Sequence, residues 1–517
     1  MAVKHVEIER KYDAAADFTV PELSALPGVA GVGVPEIHRL HATYFDTADL
    51  RLAAHGITLR RRRGGSDAGW HLKIPAGPDS KNELHAPLGR AQVVPGRLAA
   101  LVAAYTRGEP LRPVATLETD RTVFTLLDAA GGVLAEVADD AVLGRVLAAE
   151  AETAAEADEA GTGAGAGGDA WREIEVELAE GDRDLLKAAG KRLRKAGARR
   201  AASSSKLGRL LNGEIARPTS KEIVERARVK VAAEEIVPTA GDAVVAYLAA
   251  QVQALLAYDP KARLAEFDAV HRMRVATRRI RSVLQSYRPL LDREKTDPLR
   301  PELKWLADAL GEVRDLEVLR MRFTERVEGL TGIGQPAWLA ELARQESAAY
   351  RRLNATLKEP RYYALLDALE ALVADPPLTR RAGRAASGEL PRMVVRAWER
   401  LAASYDAIGT SDDPEIARHD TRKDAKRARY AAEVAVAVLG EPATRVVRSA
   451  KRLQEVLGGY QDGVIASVHL KGASARARDT ADAFSLGVLY GIELCEAEAA
   501  LARLEGTWAS LQAPVFD

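Results

Sequence analysis

The chain has 517 residues, 47% apolar and 29% charged, with 74 basic and 74 acidic side chains in balance. That length exceeds what one ordinary core organises, so two to four domains are expected, and the composition excludes a disordered or fibrous chain. No run approaches the roughly 18 to 20 apolar residues of a bilayer span, the amino terminus MAVKHVEIERKY has no apolar export core, and one cysteine excludes an intramolecular disulfide framework.

These features predict a cytoplasmic protein with no membrane partner. Cys495, among small and apolar residues of a helical stretch, is expected to be buried and structural. A net charge of zero does not exclude a polyanionic partner, because local patches attract polyanions.

In chain order, short alternating runs predict strands over 3–12, 38–46, 57–63, 70–75, 83–87, 115–127, 133–147 and 171–178, separated by Gly-, Pro- and Ser-rich turns. Strands this polar would expose costly edges, so eight of them predict a closed antiparallel barrel or tunnel. Helical interruptions are expected near 21–26, 95–105 and 182–196. The Ala/Glu/Gly stretch 148–169 has nothing to bury and is expected to be a disordered loop inserted between two strands. The first domain is therefore placed at 1–213, with a linker over 214–238.

From Asp242 the pattern changes to a helical period, which predicts an all-α domain over 239–514 and an α+β multidomain chain. This half contains a repeat. His271-Arg-Met-Arg-Val-Ala-Thr-Arg-Arg-Ile-Arg281 recurs 148 residues later as His419-Asp-Thr-Arg-Lys-Asp-Ala-Lys-Arg-Ala-Arg429. Leu310-Gly311-x-x-Arg314-Asp315 recurs 147 residues later as Leu457-Gly458-x-x-Gln461-Asp462. Two motifs repeating at nearly one offset indicate an internal duplication.

Glu7, Glu9 and Lys11 alternate, so one strand presents all three on one face. Two carboxylates at that spacing can share a hard divalent cation, with the lysine beside a bound anion. Alone, the pattern more commonly marks a solvated strand. Its companions change the reading: Glu173, Glu175 and Glu177 share a face, as do Arg60 with Arg62, His71 with Lys73, and Glu136 with Asp140, and Arg121 adds a further cation. A lumen lined by carboxylates on some walls and cations on others is complementary to a metal-bound triphosphate.

These residues, as Glu7-Ile-Glu9-Arg-Lys11, Thr43-Tyr-Phe-Asp-Thr47, Leu59-Arg-Arg-Arg, Trp70-His-Leu-Lys73, Glu136-Val-Ala-Asp-Asp140, Glu173-Ile-Glu175-Val-Glu177 and Ser205-Lys206, resemble the CYTH, or triphosphate tunnel metalloenzyme, family. The resemblance implies an eight-stranded tunnel acting on triphosphates with Mg²⁺ or Mn²⁺. It implies Glu7 and Glu9 as metal ligands, aided by Glu175 and by Glu173 or Glu177. Lys11, Arg60, Arg62, Lys73, Arg121 and Lys206 are implied to grip phosphate, with Lys11, Lys73, Arg60 and Arg62 at the chemistry. Asp139 and Asp140 both remain candidates for a further functional acid; parity with Glu136 favours Asp140.

In the helical half, His271, Arg274, Arg278 and Arg281 fall on one helical stripe, with Arg279 beside it and Met273, Ile280 and Leu284 opposite. The second copy keeps His419, Arg422, Lys426 and Arg429, joined by Lys423 and Arg427, although Asp420 and Asp424 dilute its charge. A solvated face is the ordinary meaning of a charged stripe, but 271–281 contains no acid. Side by side, two such helices would form a continuous basic groove. Arg314-Asp315 and Gln461-Asp462 are either partners of the stripe or helix caps. The histidines lack metal-ligand spacing and read as phosphate donors or structural hydrogen bonds.

This half resembles the CHAD family, which implies helical hairpins binding inorganic polyphosphate. The expected function is metal-dependent hydrolysis of inorganic triphosphate or short polyphosphate, with association with polyphosphate granules. Alternatives are a non-catalytic polyphosphate-binding protein and a triphosphatase for nucleotide or thiamine triphosphate. An aromatic content of 5% argues against nucleic acid. The oligomeric state is left open.

Overall fold

Strands whose alternate residues are charged and apolar have two chemically opposite faces, and the first half of the chain uses this to build a barrel turned inside out. The computed structural model describes residues 4–77, 79–147, 168–211, 214–215, 238–330, 336–477 and 479–516. Two units, Met1–Arg217 and Pro218–Asp517, are each compact.

Ten strands form the first unit: β1 Lys4–Ala14, β2 Gly31–Val32, β3 Glu36–Asp46, β4 Thr58–Arg63, β5 Gly69–Gly77, β6 Ser80–Ala86, β7 Arg112–Leu127, β8 Val133–Val146, β9 Asp169–Leu178 and β10 Arg199–Arg200. Eight long strands pair antiparallel in the order β1-β6-β5-β4-β3-β7-β8-β9, and β9 closes back on β1, with Glu9 opposite Glu177 and Lys11 opposite Glu175. The short β2 and β10 only edge β7 and β1. The expected eight-stranded closed barrel is therefore present.

Tyr12, Leu126, Val137, Ile174 and Val176 form the core on the outer face of the wall, beneath Leu185, Leu186, Ala189 and Leu193 of a flanking helix. The short helices α1 (Arg51–Ala54) and α2 (Gly96–Thr106) precede this helix, α3 (Arg183–Lys195), which Asp182 starts by accepting the Asp184 and Leu185 amides at 2.9 and 2.8 Å. A fourth helix, α4 (Lys206–Leu210), stoppers one end of the barrel: Leu207 and Leu211 pack with Tyr44, Ala115, Leu117 and Val142.

Gly190 in α3 is needed for close approach, since a Cβ there would land inside the Tyr12 phenol. In an open helix Gly→Ala stabilises by about 1 kcal/mol. Here Gly190→Ala is expected to destabilise the barrel by about 1–3 kcal/mol through overpacking, seen as a lower chemical-denaturation midpoint; a higher midpoint would contradict this packing.

Some expected elements differ. Residues 21–26 are turns rather than a helix, because Pro21 and Pro27 bracket them while Leu23 and Leu26 anchor onto the barrel core. Strand β6 starts at Ser80 rather than 83, and β7 starts at Arg112, where a register shift at Tyr44/Phe45 accommodates Pro113. Asp46, in the motif around Tyr44, is structural: its carboxylate accepts the Thr47, Leu52 and Ala53 amides at 2.7–2.8 Å, turning the chain from β3 into α1. Most of the expected loop at 148–169 and linker at 214–238 lies outside the described residues.

The second unit is helical throughout the described residues: α5 Ala240–Arg263, α6 Ala269–Ser286, α7 Arg293–Thr296, α8 Leu299–Glu328, α9 Ala337–Thr356, α10 Pro360–Ala374, α11 Ala386–Asp406, α12 Pro414–Leu439, α13 Glu441–Ser474, α14 Thr480–Ala502 and α15 Leu504–Ala509. The duplicated motifs fall on α6 and α8 in the first copy and on α12 and α13 in the second. Contrary to the sequence reading, α5 has the length and composition of a bilayer span, with an 18-residue window of mean hydropathy 1.4. Half of that window is buried, including Val244, Leu248 and Val252, as in a core helix.

Cys495 is exposed, against expectation. The buried stripe of α14 runs through Leu486, Leu489, Glu493, Ala497 and Ala500, and Cys495 lies off it.

Candidate active-site tunnel and basic helical face

Period-2 alternation sends charged residues of all eight long strands into the barrel, where Glu7, Glu9, Lys11, Arg60, Arg62, Lys73, Arg121, Glu136, Glu175 and Glu177, with Lys206 of α4, line one cavity of about 260 Å³. So many charges can share a lumen only by neutralising one another or a ligand. They sort into three neighbourhoods.

At the stoppered end, the Lys206 ammonium lies 2.8 Å from Asp140, 2.9 Å from Glu173 and 2.6 Å from Glu175. Arg121 grips Asp140 through two 2.7 Å bonds and reaches Glu175 at 2.6 Å, while Trp171 Nε1 donates to Glu173 at 2.7 Å. Lys11 pairs with Glu175 and, at 3.2 Å, with Glu9. Burial works against Lys206 and Glu175, yet Asp140, Glu173 and Glu175 hold the lysine above its ordinary range, and Lys11, Lys206 and Arg121 hold the Glu175 carboxylate below its own. The carboxylates Asp140, Glu173 and Glu175 are near enough to bind a metal, but a built-in ammonium already contacts all three. Asp139 instead pairs with Arg172, on the opposite face of β8.

A second neighbourhood holds Glu7, Glu9 and Glu177. Lys73 donates to Glu7 Oε1 at 2.6 Å, and Lys81 to Glu9 Oε1 at 2.6 Å. Glu7 Oε2 is buried with no hydrogen-bond partner. The Glu177 carboxyl is pushed up to about 8 by burial and by the charge of Glu7, with Glu9 and Glu175 adding and Lys73 opposing. An orphaned carboxylate oxygen beside a carboxyl that resists ionising is what a hard divalent cation would relieve. Glu7, Glu9 and Glu177 thus offer oxygen donors to a hard cation, although the acidic set whose ligand atoms lie within 4.8 Å of one another is Asp140, Glu173 and Glu175.

A stability test follows from Glu177. Its folded carboxyl holds a proton up to about 8 against an ordinary 4.5, so its contribution is complete below about pH 4.5 and lost as pH rises through about 8. In chelator, thermal melts should show falling stability across that window. Glu177→Gln should flatten the fall, and an identical profile in that variant would refute the assignment.

Arg60 and Arg62 form the third neighbourhood. Each keeps a buried Nε–H without a protein acceptor. Arg60 lies 3.4 Å from the Tyr44 hydroxyl, and Arg62 pairs with Asp67. Burial and the charges of Arg60 and Arg121 pull Arg62 down to about 9, the signature of crowded cations short of anions.

Lys81 and Glu83 line the same cavity but were missed by the sequence reading. The signal was present, since Lys81 and Glu83 alternate; a strand started at 83 rather than 80 hid Lys81.

In the helical unit, Met273, Ile280 and Leu284 are buried, so α6 turns its basic stripe away from the core. Asp315 and Asp462 sit within long helices, not at caps, and face the stripe: Arg274 is 3.8 Å from Asp315 and Arg422 is 3.5 Å from Asp462. Gln461 Oε1 meets His419 Nδ1 at 2.9 Å and accepts from Arg422 at 3.2 Å. The repeated glycines explain the rest of the motif, because a Cβ on Gly311 would meet the Arg274 guanidinium at 3.4 Å and one on Gly458 the Arg422 guanidinium at 3.3 Å. In both copies a guanidinium lies flat on a glycine.

Other basic residues are already neutralised. Glu433 pairs with Arg279 at 3.0 Å and Arg429 at 2.9 Å, Asp420 with Lys423 at 2.9 Å, and Asp424 with Arg427. Among the described residues Arg278, Arg281 and Lys426 have no ion pair. Burial, then Arg422, Arg278 and Arg274, pulls Lys426 down to about 7, so the two copies bring their stripes to one cationic centre. His271 is lowered to about 4 by burial and by Arg314, which makes it neutral near pH 7.

Residues 5–210 match the CYTH domain family and residues 246–471 the CHAD domain family. An uncharacterized protein of Mycobacterium tuberculosis, Rv2226, is 36% identical over 536 residues, covering 99% of this chain and 97% of that protein. Among solved structures, PptA from Streptomyces chartreusis is 26% identical over 53% of this chain and all of its own, with a TM-score of 0.43. The CHAD domain of the plant Ricinus communis is 22% identical over 54% of this chain and 95% of its own, with a TM-score of 0.45.

Proposed function

From a chain that belongs to the CYTH family through residues 5–210 and to the CHAD family through residues 246–471, we propose a metal-dependent hydrolase of inorganic triphosphate or short polyphosphate whose helical domain binds polyphosphate. Members of the CYTH family are triphosphatases or cyclases, and its tunnel enzymes depend on a metal ion.

The carrying observation is the split of the lumen between Glu7, Glu9 and Glu177 on one side and the under-neutralised Arg60 and Arg62 on the other. Glu7, Glu9 and Glu177 would hold Mg²⁺ or Mn²⁺, which when bound supplies a Lewis acid that draws charge from the phosphoryl oxygens. Arg60 and Arg62 offer their free N–H donors to phosphate oxygens, where charge-assisted bonds in a shielded lumen are strongest. Lys73 and Lys11, paired here with Glu7 and with Glu9 and Glu175, would be available to the chain of phosphates once those carboxylates served a metal. Arg121 and Lys206, held by three acids, set the far wall.

Inorganic phosphate chains are favoured over nucleotides because the cavity lining is overwhelmingly charged; Tyr44 and His38 are its only rings among the described residues. The test gives the purified full-length protein tripolyphosphate, long-chain polyphosphate, ATP and thiamine triphosphate with Mg²⁺ or Mn²⁺. Metal-dependent phosphate release fastest from tripolyphosphate is expected. Faster turnover of ATP or thiamine triphosphate, or no turnover beside tight polyphosphate binding, would overturn the reading.

A further inference from the structure

Three side chains beside the tunnel form a set of different chemistry from the carboxylates of Glu7, Glu9 and Glu177. His71 and His85 are directly opposite each other on β5 and β6, and Lys73 is opposite Glu83. The alternation of β6 places Glu83 and His85 on one face, so His71, Glu83 and His85 converge. His71 Nδ1 lies 2.9 Å from Glu83 Oε1, His85 Nε2 lies 3.2 Å from that same oxygen, and one donor atom from each residue falls within 4.8 Å of the others. The two imidazoles are in contact, with ring centroids 4.2 Å apart.

The hydrogen bonds of His71 decide what this set can do. Its Nε2 lies 2.9 Å from the Asp67 backbone carbonyl. A carbonyl only accepts, so Nε2 carries the proton and donates it. In a neutral imidazole that leaves Nδ1 with a lone pair, facing a carboxylate that also only accepts. Two acceptors at 2.9 Å need a second proton, on the ring or on the carboxyl, or a metal between them. Burial opposes a second proton on the ring most, since His71 is 1% exposed; the hydrogen bond to Glu83 favours it, and the nearby guanidinium groups of Arg60 and Arg62 oppose it. A histidine whose far nitrogen is fixed by a backbone carbonyl, with its near nitrogen turned to a carboxylate and a second histidine, has the orientation of a metal ligand.

We propose that His71 Nδ1, a Glu83 carboxylate oxygen and His85 Nε2 bind a borderline divalent transition metal of the Zn²⁺ class, separately from the hard cation of Glu7, Glu9 and Glu177. Two imidazole nitrogens and one carboxylate suit Zn²⁺, Co²⁺ or Ni²⁺ and are a poor set for Mg²⁺, which takes oxygen ligands. Three protein ligands leave a coordination position open. Arg60, Arg62 and Lys73, the last 3.7 Å from Glu83, oppose a metal's charge there as they oppose a proton's, so the ligand bonds must outweigh them; Lys73 has Glu7 as its closer partner at 2.6 Å.

The experiment uses the full-length protein stripped with chelator and then titrated with Co²⁺, followed by its visible absorption, and with Zn²⁺ against a chromogenic chelator, both in excess Mg²⁺. The comparison variants are His85→Ala, at a half-exposed position, and Glu7→Gln/Glu9→Gln. Wild type and Glu7→Gln/Glu9→Gln should bind one Zn²⁺ or Co²⁺ that Mg²⁺ does not displace. His85→Ala should weaken that equivalent at least tenfold with unchanged circular dichroism and melting in chelator. Equal binding by wild type and His85→Ala, or loss of the equivalent in Glu7→Gln/Glu9→Gln alone, overturns the proposal. Neither result depends on whether the tunnel hydrolyses triphosphate.

Discussion

Glu7→Gln/Glu9→Gln is expected to lower Mg²⁺-dependent phosphate release from tripolyphosphate by on the order of 10³-fold, or about 4 kcal/mol of transition-state stabilisation. The substitutions keep side-chain volume while removing the Glu7 and Glu9 carboxylates, including the orphaned oxygen of Glu7, beside a Glu177 that resists ionising. They also free Lys73 and Lys81, whose partners at 2.6 Å they neutralise. Folding should survive, because these carboxylates face the lumen and the apolar core lies on the other side of the wall. In chelator the variant should stay folded, the relief of Glu177 offsetting part of what the unpaired Lys73 and Lys81 cost. Retention of full activity in a folded variant would remove the metal assignment of Glu7 and Glu9.

The second large effect concerns the helical unit. Arg274→Ala/Arg278→Ala should weaken binding of long-chain polyphosphate by about 10- to 100-fold at low salt. As for other flexible polyanions, the slope of log affinity against log salt should shrink by roughly 0.7 per charge removed, or about 1.4 in all. Turnover of tripolyphosphate should be little changed. Lys426 adds a pH signature. Held down to about 7, it must take up a proton when a polyanion binds, so affinity should fall from pH 6 to pH 8 and Lys426→Arg should reduce the fall. An unchanged salt slope in the double variant would place the polymer elsewhere.

What was legible in the sequence was set by short-range periodicity. Period-2 alternation identified the inward charges of the barrel and put Asp140 rather than Asp139 on the lumen side, where it meets Arg121 and Lys206. Parity could not separate Glu173, Glu175 and Glu177, which share a face. Their difference arises from stagger between β1 and β9, a property of barrel closure that no single strand carries. That stagger sets Glu177 against Glu9, and leaves Glu173 and Glu175 to Lys206.

The helical half divides in the same way. The basic stripe and its second copy were legible; the Arg429–Glu433 pair, one helical turn apart, was not read. The loss of Arg279 to Glu433 and the 3.1 Å contact of Arg400 with Asp424 depend on neighbouring helices. The reason for Gly311 and Gly458 was likewise invisible until a guanidinium was found lying on each.

Because the barrel keeps its oil outside and its charges within, the parts that fold it and the parts that meet a ligand are different residues of the same strands. A substitution at Ile174 or Val176 touches packing, while one at Glu175 or Glu177 touches chemistry, although the four alternate along one strand. A lineage carrying this tunnel could therefore rewrite its preference among phosphate compounds by changing every second letter of a strand and leave the fold standing.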